Sequence, residues 1–300
     1  MSDWVNRLDL TRLSTPLFGR VSVALVLLMA LHLTANMPLE RLGQGISVGT
    51  VSAAGLLPAW LYGDVRLLAL LWVAFVVCGA LWMGDWMVPL SSWGATLAFT
   101  GYVSVYLQNA PFWDHKCHLL NLVMFVQCAW YHIYAQEIRA ARREGRLLTT
   151  PLYPQWAYVA SVFAICCHYF FAGLSKLIEG GGLRWADGLT FQLWILARGD
   201  GDTWLGSMVL AHRSLSQVFQ ITALGFELLV PLALFWPRFR VAVGLFFIGF
   251  HLSSHQIFPD VVFTANLVVV CLFFVMEPSL AWWAARQARM EAESVVSPEG

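Results

Sequence analysis

Tyr169-Phe-Phe-Ala-Gly-Leu-Ser-Lys176-Leu177, followed by Trp185-Ala-Asp187-Gly188, places one lysine at the end of an apolar run long enough for a bilayer helix. A charge at the edge of such a helix is costly. Lys176 is therefore expected either to snorkel to the headgroups or to meet a partner within the protein. The company it keeps, small and aromatic neighbours and then a glycine-rich loop, favours a partner.

Composition agrees with a membrane setting. The chain is 59% hydrophobic and 12% charged, with a mean hydropathy of +0.65. Soluble domains carry about 25% charged residues, so a soluble class is excluded. The net charge of +0 gives no footing for a nucleic-acid partner. The 15 Trp and 8 Tyr suit aromatic belts at two membrane interfaces. The six cysteines mostly lie inside apolar runs and read as small buried side chains, not disulfides or zinc ligands. Asp3 and Asp9 precede the first apolar run. No small-residue cleavage site follows it, so a removable signal peptide is not expected.

A transmembrane helix needs about 20 apolar residues. The segments Gly19–Asn36, Leu67–Leu81, Met87–Gln108, Cys117–Gln136, Trp156–Leu177, Gln217–Trp236, Val241–Ile257 and Val261–Met276 approach that length. They predict an all-α, polytopic integral membrane protein of about eight transmembrane helices. Residues 1–290 are expected to form one membrane domain and residues 291–300 a disordered tail. Leu189–Ala197 is apolar but too short to cross, and reads as a re-entrant or interfacial helix after the fifth span. Leu280–Arg289, with Trp282, Trp283 and Arg286, reads as an amphipathic surface helix. The arginines of Arg139-Ala-Ala-Arg-Arg-Glu-Gly-Arg146 place their loop, and with it both termini, in the cytoplasm. A bacterial inner membrane is the expected location.

This topology gathers the costly polar residues on the outer side. Asp114 and His115 precede the fourth span, Lys176 ends the fifth, and His251, His255 and Gln256 close the seventh. Glu227 lies within the sixth span, where a carboxylate is expected to be protonated or paired. His251 and His255 share a helix face. Two histidines without a clear third ligand give no firm metal site. His32, His132 and His168 read as helix-packing hydrogen-bonders or interface residues and not as ligands.

The stretch from Tyr169 to Leu177 with Trp185-x-Asp187-Gly188 resembles the signature of the HTTM module, the transmembrane part of the vitamin K-dependent gamma-carboxylases. A second block, Phe250-His251-Leu-Ser-Ser-His255-Gln256-Ile-Phe258, resembles that module's late His-x-x-x-x-Gln-x-Phe helix. Asp114-His115 is a weaker third match. The resemblance implies that Lys176 is the base that deprotonates a reduced vitamin K or other quinol. It implies roles in positioning or acid–base transfer for His115 and His251. Trp185, Asp187, His255, Gln256, Asp114 and Glu227 would line the substrate or cofactor site. O2 and CO2 would be co-substrates, and a secreted peptide or soluble partner protein a further partner. Ser175 stands where the carboxylases have a second lysine. The resemblance is to small bacterial-type members, without the carboxylases' C-terminal lumenal domain. Some members, such as the membrane component of the sporulation-delaying toxin maturation system, imply an alternative: a non-enzymatic subunit for peptide maturation or export. A third reading is a membrane metal oxygenase using His251, His255, His115 and His118.

Overall fold

The structure, a computed structural model, describes residues 16–35, 65–109, 117–145, 154–258 and 264–296. Its regular elements are helices. They are α1 (Pro16–Ala35), α2 (Val65–Met83), α3 (Leu90–Asn109), α4 (His118–Ile133), α5 (Ala135–Arg143), α6 (Gln155–Ile178), α7 (Leu189–Arg198), α8 (Trp204–Ala211), α9 (Arg213–Leu229), α10 (Pro237–Ile257), α11 (Thr264–Val270) and α12 (Glu277–Val296). Each of the expected apolar segments is largely helical where described; residues 87–89, before α3, and Trp236, before α10, are not. Four helical stretches are long and apolar enough to cross a membrane: Val65–Met83, Gln155–Ile178, Arg213–Leu234 and Thr264–Gln287. The apolar part of α1, Val21–Ala35, is shorter. The chain is thus an all-helical membrane protein.

Two compact units divide the chain, one within Pro16–Ala157 and one within Tyr158–Gly300. In the first, α1 to α4 pack through side chains that satisfy one another where water is excluded. Trp72 donates to Thr34 Oγ1 at 3.2 Å, Thr100 to Asn121 at 2.9 Å, and Gln127 to Ser22 at 3.3 Å. The Trp93 indole donates to His132 Nδ1 at 3.2 Å, the packing role expected of that histidine. Arg142 of α5 lies 3.3 Å over the Trp86 ring and donates to the Gly84 carbonyl.

The second unit is built on α6. Tyr158 near its start meets Arg240 of α10, and Tyr169 further along meets His251. The equal offset makes α6 and α10 parallel neighbours. Cys166 donates to the Val230 carbonyl and Gly173 faces Glu227, so α9 runs antiparallel to α6. Tyr169 stacks on Phe247 at 3.8 Å and Phe226 on Phe246 at 3.9 Å, tying α6 and α9 to α10. After Leu229 the chain tightens into a 3₁₀ turn, Val230–Leu234, with Pro231 at its start.

Three elements differ from the sequence expectation. The segment after α6 holds two helices, not one: α7, and then α8, whose start is capped by Thr203 Oγ1 accepting from the Gly206 N–H. Their apolar faces close a small core of Ile195, Leu205, Val209 and Ile257. α9 begins at Arg213, earlier than Gln217. Finally, α11 passes through a π-helical stretch, Cys271–Met276, straight into α12. The expected amphipathic helix is therefore continuous with the last apolar segment. Tyr158 donates to the Phe273 carbonyl at 2.8 Å inside that π stretch, giving a partner to a carbonyl that the wider turn displaces.

Candidate functional site

The partner of Lys176 is Glu227. The two side chains form a hydrogen-bonded ion pair between α6 and α9, 51 residues apart in sequence. The Lys176 side chain is 24% exposed and that of Glu227 5%. The pair is thus sunk into the protein on its acid side and open on its amine side. Gly173 makes the approach possible, because a Cβ there would sit 2.9 Å from Glu227 Cβ. One turn of α6 thus carries the small residue that admits Glu227 and the lysine that meets it.

Glu227 has a second oxygen. Oε2 is buried and has no hydrogen-bond partner among the described residues. Buried carboxylate oxygens are rarely left so, and each such atom asks for an explanation. An acceptor facing inward beside an ammonium can receive a hydroxyl proton from a bound molecule.

Tyr169, Gly173 and Lys176 fall at i, i+4 and i+7 and so share one face of α6. On that face, about 10 Å along the axis from Lys176, the Tyr169 hydroxyl and His251 Nε2 are 2.6 Å apart. Both residues are buried. Glu227 lies within electrostatic reach of Tyr169. One helix face therefore links the Lys176–Glu227 pair to the Tyr169–His251 pair.

The loop after α6 bends back over this end. The Trp185 ring centroid is 5.0 Å from Lys176 Nζ, so the ammonium sits against an aromatic face. Gln220 of α9 holds the loop with both ends of its amide, accepting from the Gly188 N–H at 2.8 Å and donating to the Trp185 carbonyl. Ser216 donates to the Gly188 carbonyl. Gly188 has φ +89°, and a Cβ there would lie 2.5 Å from the Arg213 carbonyl. Only glycine fits that corner. Asp187 accepts from the Leu189 N–H at 2.8 Å, capping α7, and its other oxygen is 3.4 Å from Arg213. Asp187 and Gly188 thus shape the loop that carries Trp185 to the lysine.

Of the residues expected to form the site, the structure gathers Lys176, Glu227 and Trp185, with His251 of α10 against Tyr169 further along α6 and Asp187 in the covering loop. His255 and Gln256 are exposed. Asp114 and His115 lie outside the described residues. Among the described residues no three His, Cys, Asp or Glu side chains are grouped as metal ligands, so the histidine-ligated metal reading gains no centre from them. Sequence reasoning gave no role to Tyr169, Ser216, Arg213 or Gln220. Gln220 carried one signal: it is a polar residue one turn beyond Ser216 and so shares its face of α9.

These features define an all-helical membrane protein with an ion-paired lysine where a membrane-length helix ends. The model of the HTTM domain matches residues 18–278, and the chain belongs to that family, a membrane family related to the vitamin K-dependent carboxylases. No curated protein and no solved structure matches the chain.

Proposed function

We propose that this protein is a membrane enzyme, or enzyme subunit, that acts on a lipid-soluble quinol at the outer face, with Lys176 as the general base. The observation that carries this reading is the Lys176–Glu227 pair, with its amine partly open and a spare carboxylate oxygen beside it. A reduced vitamin K-type quinol, when bound, supplies the reducing electrons for chemistry with O2 and with CO2 as the added group.

The residues fit such a molecule. Glu227 Oε2 can accept a hydrogen bond from a quinol hydroxyl. The Trp185 ring offers a flat face for an aromatic head beside the amine. To act as a base, Lys176 must first lose its own proton. Glu227 can take that proton across their hydrogen bond, and the pair stays neutral overall, so no net charge is created in an apolar place. Tyr169 holds the orientation of His251 through its bond to Nε2, and His251 would serve as a positioning or acid–base group. His115 would join from its own segment as a positioning or acid–base group. A secreted peptide or other outer-face acceptor would receive the modification.

Photo-crosslinking with an azido-quinol in membranes tests the binding half of this proposal. Labelling within residues 169–188, competed by unlabelled reduced vitamin K, is the expected result. Labelling elsewhere alone would overturn it.

A second reading, a non-enzymatic subunit for peptide maturation or export, is favoured by one observation. Leu193, Trp194, Leu196 and Trp204 on α7 and α8 are exposed large apolar side chains, and such groups suit contact with another chain. Stoichiometric co-purification of a small secreted protein, with no quinol turnover by the complex, would decide for it.

A further inference from the structure

The second unit has a groove at the opposite end of α10 from His251. Its cavity volume is about 770 Å³, within the size range of ligand sites. Val241 of α10, Val275 and Met276 of the π stretch, and Leu280, Trp282 and Trp283 of α12 form an almost wholly apolar wall. The charged residue in the lining is Arg238, exposed on the first turn of α10.

The neighbouring arginine shows what is different about Arg238. Arg240 is buried, and its guanidinium is engaged with the Ala233 and Leu234 carbonyls and the Tyr158 hydroxyl. Glu277, at the start of α12, is buried and lies beside Tyr158. Arg238 is left facing the groove with no carboxylate partner among the described residues. One turn further along α12, Arg286 lies against Trp282 at 5.5 Å. An apolar trough, two exposed tryptophans and cations at its rim form the pattern of a membrane interface.

We propose that this groove binds one anionic diacyl phospholipid, with an acyl chain along Val241, Val275, Met276 and Leu280 and the phosphate on Arg238. The walls belong to Thr264–Gln287, a helix long and apolar enough to cross a membrane, and to its partner α10. The occupant is therefore drawn from the bilayer and not from water. The uncompensated cation selects a headgroup of net negative charge, because in a zwitterionic lipid the headgroup's own ammonium offsets the phosphate that Arg238 would meet. Basic pockets of this kind between membrane helices take anionic lipids. A lipid seated here would also cover the junction where the π stretch passes into α12.

Native mass spectrometry of the full-length protein tests the site. The protein is purified in mild detergent and mixed with phosphatidylglycerol or phosphatidylcholine of equal chain length. Wild type is expected to retain one phosphatidylglycerol in preference to phosphatidylcholine. Arg238→Ala should bind phosphatidylglycerol about tenfold more weakly and lose the preference. Val241→Trp, which fills the trough and keeps the cation, should lose both lipids. Circular dichroism melting within a few degrees of wild type would show that both variants fold. Equal retention of the two lipids by wild type would overturn the proposal. So would phosphatidylglycerol binding by Arg238→Ala at wild-type strength, displacement of the lipid by added quinol, or a lipid-free dimer that Val241→Trp breaks.

Discussion

Lys176 and Glu227 are worth more as a pair than as two residues. Removing one partner leaves the other charge in a place built for two, which typically costs about 3 kcal/mol or more. Lys176→Met should therefore lower stability by about that amount. Adding Glu227→Met should recover most of the loss, because apolar groups can replace both members with little cost. A double-mutant cycle of unfolding in detergent measures this, and additive losses would contradict the pairing. Glu227→Gln is the sharper functional probe. The amide can still bond to Lys176 but cannot take its proton, so quinol turnover should fall about a hundredfold while folding is kept. The sequence made half of this legible. It marked Lys176 as needing a partner and Glu227 as needing a charge or a proton. It could not join them, because 51 residues and two extra helices lie between. Tyr169 was invisible as a site residue for a similar reason. A tyrosine in an apolar helix looks like packing until His251 is placed opposite its hydroxyl.

At the scale of elements, the loop between α6 and α9 is a clamped device and not a slack connection. Gln220 bonds the Trp185 carbonyl and the Gly188 N–H, Ser216 holds the Gly188 carbonyl, and Asp187 accepts from the first N–H of α7. Gly188→Ala should destabilise the protein by about 2 kcal/mol or more, since it forces a side chain into a left-handed corner against a carbonyl. Gln220→Ala removes two bonds from buried backbone groups and should cost about 2 kcal/mol. Hydrogen exchange over residues 182–190 should then rise in both variants, while exchange in α1 to α4 stays as in wild type. Unchanged exchange in this loop would show that the clamp is not what orders it. The glycine-rich sequence announced a loop here. α8 was missed although Thr203 precedes the apolar Trp204–Ala211, a start signal that eight residues of helix hardly reinforce. The join of α11 to α12 was also illegible. Hydropathy falls at Glu277, but the backbone does not break, because Tyr158 satisfies the carbonyl freed by the π turn.

For the whole molecule, composition alone gave the membrane class and the helices, since a bilayer admits few other architectures. How many helices cross is a harder matter. Four have clear span character; α3 and α4 are diluted by Ser, Thr, Asn and Gln, among which Thr100–Asn121 and Gln127–Ser22 bond between helices, and α10 by its arginines and histidines. The expected count of about eight spans would put Leu183, in the loop after α6, and Glu144, beside the arginine cluster, on opposite faces. Leu183→Cys and Glu144→Cys should then react with an impermeant thiol reagent from opposite sides of sealed vesicles. Reaction from the same side would break that topology and, with it, the outer-face assignment. Lys176 carries the proposed chemistry. Oxidation of a reduced vitamin K-type quinol by the full-length protein in nanodiscs should proceed with wild type and with O2 present. It should fall at least about a hundredfold in Lys176→Ala that remains folded. Turnover by Lys176→Ala equal to wild type would contradict the claim that this lysine is the base.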